Sequence, residues 1–167
     1  MKTLLLMRHA KSSWKSPGLA DHDRPLNSRG ERDAPRMGKR LRAAGLIPDE
    51  VFCSTAARAR QTWDLASSAL EEDIPVVLTN RLYLAPPGEI LDVISMADRY
   101  ASSLLVIGHN PGMEHLLYRL TGLEEAVPTA AIAWMEFPID HWAEVREVSG
   151  GRLVDFWYPK DNAGQDG

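Results

Sequence analysis

The sequence of 167 residues has a single cysteine, Cys53. One thiol excludes a disulfide within the chain and fits a reducing compartment, so we expect a cytoplasmic location. The apolar runs are far shorter than the roughly 20 residues that a membrane-spanning helix needs. The first residues also lack the long apolar stretch of a secretory signal. We therefore expect neither a membrane partner nor secretion.

Basic residues are also few, because 19 Lys and Arg stand against 23 Asp and Glu, for a net charge of −4. Such a chain has no general positive field for a nucleic-acid backbone, so we expect no nucleic-acid partner. Any bound anion must be held by a few focused cations. The length suits one hydrophobic core. We expect a single domain over residues 1–160 and a disordered tail over 161–167.

Strand and helix patterns alternate along most of the chain. The predicted strands cover residues 3–8, 50–54, 76–78, 104–108, 130–137 and 152–157. Helical periodicity follows each of the first four, which is typical of parallel strands with crossover helices. The last two are separated by glycines and favour an antiparallel pair. We predict the α/β class: a three-layer α/β/α sandwich, with a mostly parallel central sheet and late antiparallel strands.

Details of two helices depend on single residues. Ser28 and Glu31 have the spacing of a capping box, which predicts a helix start at Ser28. Pro35 lacks an N–H group and predicts a kink or a later start. Asn110 suits an N-cap and Pro111 the first helical position, so a further helix is predicted to begin beside His109.

Histidine or arginine follows three of the predicted strands. His9 and His109 come directly after buried strands, and Arg58 lies just inside the helix after another. Because the carboxyl ends of parallel strands meet at one edge of a sheet, these side chains are expected to converge near helix N-termini. Imidazoles, a guanidinium and free N–H groups together predict a phosphate site.

Helical spacing places Arg58 on the apolar face of its helix and Arg60 on the polar face. A buried guanidinium needs a partner, and a bound anion or a carboxylate satisfies that need. An isolated histidine at the position of His9 is more often a packed core residue. The adjacent Arg8 changes this interpretation, because a cation lowers the pKa of an imidazole and keeps a nitrogen lone pair available. His9 is therefore the predicted nucleophile.

Three segments, in the right order, resemble motifs of the histidine phosphatase superfamily, the phosphoglycerate mutase-like group. Arg8-His9-Ala10 stands where that family has Arg-His-Gly, residues 54–62 resemble Ser-x-x-x-Arg-Ala-x-x-Thr, and Gly108-His109-Asn110 resembles the second-histidine motif. The likeness covers nearly the whole chain. Asp23-Arg24-Pro25-Leu26, followed by Gly30, is most similar to the SixA-type phosphohistidine phosphatases, as is the short length.

The resemblance implies a metal-independent phosphatase without a cofactor, whose partner is a phosphorylated substrate. His9 would be transiently phosphorylated, Arg8 and Arg58 would hold the phosphate, and His109 would donate a hydrogen bond to it. Residues 80–83 lack the general-acid glutamate that the family often carries there, and Glu89 is the nearest candidate acid. A glutamate in a first helical turn is more often simply favourable to the helix dipole.

A missing acid favours a substrate whose leaving group departs easily, such as the imidazole of phosphohistidine. A cysteine phosphatase fails on spacing, since its arginine would fall at position 59, which is alanine. His22, between Asp21 and Asp23, is read as part of a polar loop rather than a metal ligand. A phosphatase or mutase acting on small phosphate esters, and a non-catalytic phosphate-binding module, remain alternatives.

Overall fold

The computed structural model describes residues 1–148 and 150–159, in which a six-stranded sheet lies between two layers of helices. The strands are β1 (Lys2–Arg8), β2 (Glu50–Ser54), β3 (Val76–Thr79), β4 (Ser103–Gly108), β5 (Ile132–Phe137) and β6 (Arg152–Trp157). The helices are α1 (Ser28–Ala43), α2 (Ala57–Leu70), α3 (Pro87–Ser95) and α4 (Gly112–Thr121). In this part of the chain, no helix combines the length and apolarity needed to cross a bilayer. The tail predicted over 161–167 lies outside the described residues.

The strand order is β3-β2-β4-β1-β5-β6. The first four of these strands are mutually parallel, whereas β5 runs antiparallel to β1 and β6 antiparallel to β5. The predicted mostly parallel sheet with late antiparallel strands is therefore confirmed. β1 and β4 are parallel neighbours at the centre of the sheet, so their carboxyl ends lie side by side at the same edge.

Strand β1 explains why its sequence is an uninterrupted apolar run. Leu4 and Leu6 pack into a core with α3 and α4, whereas Leu5 and Met7 pack into a second core with α1 and α2. Successive side chains point to opposite faces of a strand, so a strand covered on both faces needs apolar residues at every position. The two cores confirm the three-layer arrangement.

Helix α1 departs from its prediction in two ways. Its N-cap is Asn27, whose side chain accepts the N–H of Gly30, so the capping residue precedes Ser28. The helix also continues through Pro35 without interruption. Ala34 and Met37 on either side are fully buried, and their packing against the core outweighs the missing hydrogen bond.

Helix α4 begins at Gly112, with Pro111 as the N-cap, so the prediction of Asn110 as N-cap is wrong. The Asn110 amide instead donates to Glu114 and to the carbonyl of Val127. These bonds tie the segment before β5 to the start of α4. The Val127 carbonyl is 17 positions from Asn110, so local sequence does not identify it as a partner. The Asn110 side chain binds it and does not cap the helix.

Candidate active site

The two histidines meet because β1 and β4 end together. Arg8 is in register with Gly108, and the N–H of His9 continues the ladder by donating to the Gly108 carbonyl at 3.1 Å. The residue that follows each strand is a histidine, His9 after β1 and His109 after β4. The ring centroids of His9 and His109 are 5.0 Å apart.

Arg58 reaches the same place from the first turn of α2, which follows β2. Its side chain is buried, whereas that of Arg60 is exposed, as the helical spacing predicts. The guanidinium Nε donates to His9 Nε2 at 3.4 Å. A cation therefore lies directly beside one imidazole nitrogen.

The surroundings of His9 favour the tautomer in which Nε2 is unprotonated. Nδ1 lies 2.7 Å from the carbonyl oxygen of Ala10, which can only accept, so Nδ1 carries the proton. Nε2 is then the unprotonated nitrogen that faces Arg58. Burial is the largest cause that lowers the pKa of His9 to about 3; His109, Arg58 and Arg8 also lower it, and the hydrogen bond to Ala10 opposes them. The ring is therefore neutral at pH 7.

His109 is held by a hydroxyl and has one nitrogen to spare. Its Nε2 lies 2.8 Å from Ser54 Oγ, which already accepts the N–H of Ala56 and can donate its own proton to the ring. Nδ1 is buried without a hydrogen-bond partner. Burial, with the charge of Arg58, lowers the pKa of His109 to about 3. A neutral ring protonated at Nδ1 is a donor for an anion.

Arg8 supplies the second cation. One terminal nitrogen donates to the Val127 carbonyl at 3.1 Å, while the buried Nε has no partner. Its charge lowers the pKa of both His9 and His109, which places it within electrostatic reach of the two rings. Buried donors are nearly always satisfied, so the unpartnered nitrogens of Arg8 and His109 are candidate donors to a bound anion.

The backbone after the nucleophile is fixed by neighbouring elements. The N–H of Ala10 donates to Thr62 Oγ1 at 2.9 Å, and that hydroxyl donates to the Arg58 carbonyl at 2.7 Å. Ala10 is not among the described residues with positive φ, so alanine replaces the family's glycine without strain. At Gly30, a Cβ would lie 2.2 Å from the Lys11 carbonyl oxygen, so only glycine lets α1 start this close.

Asp21 and Tyr83 belong to the site but were missed from sequence. Asp21 accepts from Arg58 through both its backbone carbonyl, at 2.8 Å, and its carboxylate, at 3.0 Å. The Tyr83 hydroxyl donates to the same carboxylate at 2.5 Å. The hydrogen bonds that the Asp21 carboxylate accepts lower its pKa to about 2, and the bond from Tyr83 has the largest effect. The carboxylate is therefore ionised at pH 7. In the sequence, Asp21 sat in a run read as a polar loop.

Tyr83 lies against the second histidine because the loop after β3 packs tightly on the start of α4. The Tyr83 and His109 rings are 5.5 Å apart, edge to face. A Cβ on Gly112 would lie 2.0 Å from the Ala85 carbonyl oxygen, so this approach requires glycine. Residues 80–83 lack the acid that the family often carries there, but the phenol of Tyr83 in this segment reaches the site.

Four of the five candidate residues converge, whereas the contact that the structure shows for Glu89 is with Arg81. Its carboxylate accepts from Arg81 Nε at 2.6 Å in the first turn of α3. This contact does not support a role for Glu89 as the general acid. Over residues 1–148 and 150–159, no three metal-ligating side chains gather at one point.

Comparisons with known proteins point in one direction. A model of the histidine phosphatase superfamily (branch 1) matches residues 4–83. An uncharacterized protein of Mycobacterium tuberculosis is 41% identical over 92% of this chain and 100% of its own length. The crystal structure of the putative phosphohistidine phosphatase SixA from Agrobacterium tumefaciens is 30% identical, with a TM-score of 0.81, over 95% of this chain and 98% of that chain. A second such SixA structure, from Nakamurella multipartitia, gives 30% identity and a TM-score of 0.82 over 95% and 96% of the two chains.

Proposed function

The chain belongs to the histidine phosphatase superfamily and has its phosphoglycerate mutase-like fold, and from this premise we propose that it hydrolyses phosphohistidine through a phosphorylated His9. The family covers phosphatases and mutases, so the type of reaction and the substrate are the proposal. Both SixA neighbours carry the name of putative phosphohistidine phosphatases, which supports it.

One observation carries the proposal: an unprotonated His9 Nε2 faces Arg58 Nε, and the neighbouring side chains of Arg8 and His109 hold buried donors without acceptors. A nucleophilic nitrogen and several positive or polar donors around one point match the needs of phosphoryl transfer, in which charge spreads over the non-bridging oxygens. Each charge-assisted hydrogen bond contributes about 1.5–3 kcal/mol, although several acting on one phosphate do not add simply.

In the first step, His9 Nε2 attacks the phosphorus of the substrate. A bond from Nε2 to phosphorus forms while the bond to the leaving group breaks, and the leaving group departs with that electron pair. The two guanidinium groups and His109 Nδ1–H hold the non-bridging oxygens. The carbonyl of Ala10 keeps the His9 ring oriented through Nδ1–H as the ring gains positive charge.

In the second step, water attacks the same phosphorus, releases inorganic phosphate and returns the electron pair to Nε2. The proton of that water leaves with the phosphate or with solvent. His9 is thereby regenerated as the neutral ring, which its lowered pKa maintains. No net change of the protein results from the cycle.

Phosphohistidine suits this site because its leaving group needs little help. An imidazole protonated at its distal nitrogen leaves as a neutral ring, whereas an alkyl phosphate expels an alkoxide that needs a proton donor. The carboxylate that contacts the site, Asp21, is ionised, and Glu89 is paired with Arg81. Neither group is therefore a ready acid in the unliganded protein.

Trapping with an alkaline detergent quench tests the intermediate, because the phosphorus–nitrogen bond of phosphohistidine survives in base. Wild-type protein mixed with a ³²P-labelled phosphohistidine tripeptide should yield an acid-labile, base-stable phosphoprotein, with the label mapped to the peptide that holds His9. A His9→Ala variant should trap none. His115→Ala, which removes an exposed imidazole on α4, is the matched control and should trap as much as wild type. Label on His9→Ala protein would contradict the mechanism.

The alternatives are separated by substrate and product. A panel of phosphohistidine, sugar phosphates and glycerate phosphates, compared by kcat/KM, ranks hydrolysis of the amidate against hydrolysis of esters. Transfer to a second acceptor would identify a mutase, and binding of phosphate without turnover would identify a binding module. A thiol enzyme is disfavoured, because burial raises the pKa of Cys53 to about 12 and keeps the thiol protonated.

A further inference from the structure

We propose that Glu114 is a positioning residue that orients Arg8 for phosphate binding through Asn110 and Val127. Glu114 lies in the first turn of α4, the helix that follows the second histidine. This inference rests on the proposed function, because it assigns what holds one of the two phosphate-binding arginines in place. Glu114 acts through other groups, so it is not a catalytic residue.

The peptide of Val127 is held by polar groups on both sides. Its N–H donates to Glu114 Oε1 at 2.9 Å. Its carbonyl accepts from Asn110 Nδ2 at 2.8 Å and from a terminal nitrogen of Arg8 at 3.1 Å. Asn110 Nδ2 donates its second hydrogen to the same Glu114 oxygen at 2.9 Å, and two acceptors around one amide nitrogen fix the orientation of the amide. The four bonds form one network between a carboxylate and the Arg8 guanidinium.

Val127 depends on these side chains because its segment has no regular structure. Residues 123–128 lie between α4 and β5 and belong to neither a helix nor a strand. Val127 is only 3% exposed, and a buried peptide outside a helix or a sheet needs hydrogen-bond partners from elsewhere. Glu114 and Asn110 supply those partners, so they determine where the Val127 carbonyl lies.

The position of the Val127 carbonyl in turn restricts the orientation of Arg8. A guanidinium is planar and rigid, so anchoring one terminal nitrogen limits the directions in which the other nitrogens donate. Arg8 Nε is buried without a partner and is a candidate donor to the anion. When the anchor is lost, the side chain samples other rotamers and this donor spends less time in the binding orientation. Loss of Glu114 should therefore weaken phosphate binding.

Glu114 also acts on Arg8 through its charge. Burial lowers the pKa of Arg8, the negative charge of Glu114 opposes that effect, and the positive charge of Arg58 adds to it. Asp21 compensates Arg58 in a different way, because it binds that guanidinium directly. Glu114 instead reaches Arg8 through the Val127 peptide, so it stabilises the cation and leaves Arg8 Nε unpartnered.

Two substitutions at position 114 separate the hydrogen bonds from the charge. Glu114→Ala removes both, whereas Glu114→Gln removes the charge and keeps an oxygen acceptor for the N–H groups of Val127 and Asn110. Binding of orthophosphate, measured by titration calorimetry at constant pH, reports on the site without turnover. We expect Glu114→Ala to weaken this binding about five- to tenfold, the cost of misplacing one donor, and Glu114→Gln to weaken it less than about threefold.

Glu125→Ala is the matched control, because Glu125 and Glu114 line the same cavity of about 460 Å³. The substitution removes an equal charge from the same part of the surface. Glu125 is exposed, so solvent screens its charge, and orthophosphate binding should change by less than about twofold.

Asn110→Ala tests the second side chain of the network, and it replaces Glu114→Ala if that variant does not fold. It removes both amide bonds but leaves the bond between Val127 and Glu114, so we expect orthophosphate binding to weaken about two- to fivefold. Because both side chains act through one carbonyl, the two alanine substitutions together should cost less than the product of their separate losses. Circular dichroism checks that each variant is folded.

The inference is wrong if Glu114→Ala binds orthophosphate as tightly as wild type, because the network would then be purely structural. It is also wrong if Glu114→Gln loses as much as Glu114→Ala, since the charge alone would then act. Failure of the proposed function gives a different result: no phosphohistidine would be hydrolysed, while the comparison of orthophosphate binding would still decide the role of Glu114.

Discussion

The two edges of the parallel sheet both bury a cation, but they treat it differently. At the amino edge, Lys2 donates to the carbonyls of Arg99 and Ala101, at 3.0 and 2.6 Å, and lies over the Trp142 ring. At the carboxyl edge, Arg8 keeps a buried Nε without a partner, and His109 keeps a buried Nδ1 in the same state.

The difference separates a structural charge from a functional one. Burial of a charge is tolerated in folding only when hydrogen bonds compensate it, and the Lys2 ammonium donates to two carbonyls. Incomplete satisfaction at the carboxyl edge leaves a local deficit that a bound dianion removes. Two buried donors without acceptors beside His9, Arg8 Nε and His109 Nδ1, therefore mark the candidate active site better than buried charge as such.

Replacing Arg58 by methionine has the largest expected effect, because it removes a cation from the carboxyl edge that we assign to function rather than to stability. We expect kcat/KM for phosphohistidine to fall about 100- to 1,000-fold, the loss seen when one preorganised donor is removed. The free energy of unfolding should change by less than about 1 kcal/mol, because Asp21 is partly exposed and keeps Tyr83 and Arg24 as partners. Steady-state kinetics and urea unfolding measure the two effects. A large loss of stability would show that Arg58 is mainly structural.

Acid conditions sharpen the contrast, because both site histidines have a pKa of about 3 in the folded protein against 6.5 ordinarily. Between these values the unfolded chain binds more protons, so stability is complete above about pH 6.5 and falls as the pH drops towards 3. The slope is at most about 1.4 kcal/mol per pH unit for each histidine. Urea unfolding between about pH 5 and 7 measures it.

His9→Asn is the control for that slope, since it removes one of the two titrating rings. Its unfolding free energy should depend less steeply on pH than that of wild type over the same range. The Asp21 carboxylate at the site does not interfere, because its pKa is lowered from 3.8 to about 2, below this range. Equal slopes for the two proteins would mean that the folded state does not hold His9 neutral.

Lys2→Met tests the opposite edge. The methionine leaves the Arg99 carbonyl without its donor, whereas the Ala101 carbonyl still accepts from Trp142 Nε1 at 2.8 Å. We expect a loss of about 1–3 kcal/mol in the free energy of unfolding. The kcat/KM of the folded variant should stay within about twofold of wild type, since the site lies at the far end of β1. A matching loss of activity would couple the two edges.

Much of the carboxyl edge was predictable because the signals there are local. Apolar runs that stop at a histidine locate strand ends, and helical spacing distinguishes the buried Arg58 from the exposed Arg60. Parallel strands then force those ends together. The same reasoning placed Glu50–Ser54 as a strand, which β2 confirms.

Other features were out of reach because they depend on contacts across the fold. Asp21 joins the site through Arg58, 37 positions away, and Tyr83 joins through Asp21, 62 positions away. Asn110 looked like a helix cap because its partner, the Val127 carbonyl, comes from a distant loop. Pro35 stays inside α1 because core packing overrides local propensity.

Asp21→Asn makes the smallest expected change and tests the role of the ion pair between Asp21 and Arg58. The ionised carboxylate binds a guanidinium nitrogen that a phosphate on His9 also requires, so carboxylate and phosphate compete for it. An amide removes the negative charge but keeps an oxygen acceptor for Tyr83. Because the Asp21 side chain is 41% exposed, solvent weakens the competition, and inhibition by orthophosphate should tighten only about two- to fivefold. Weaker inhibition in the variant, measured as a higher inhibition constant at constant pH, would mean that Asp21 serves mainly to orient Arg58 and that its charge does not compete with phosphate.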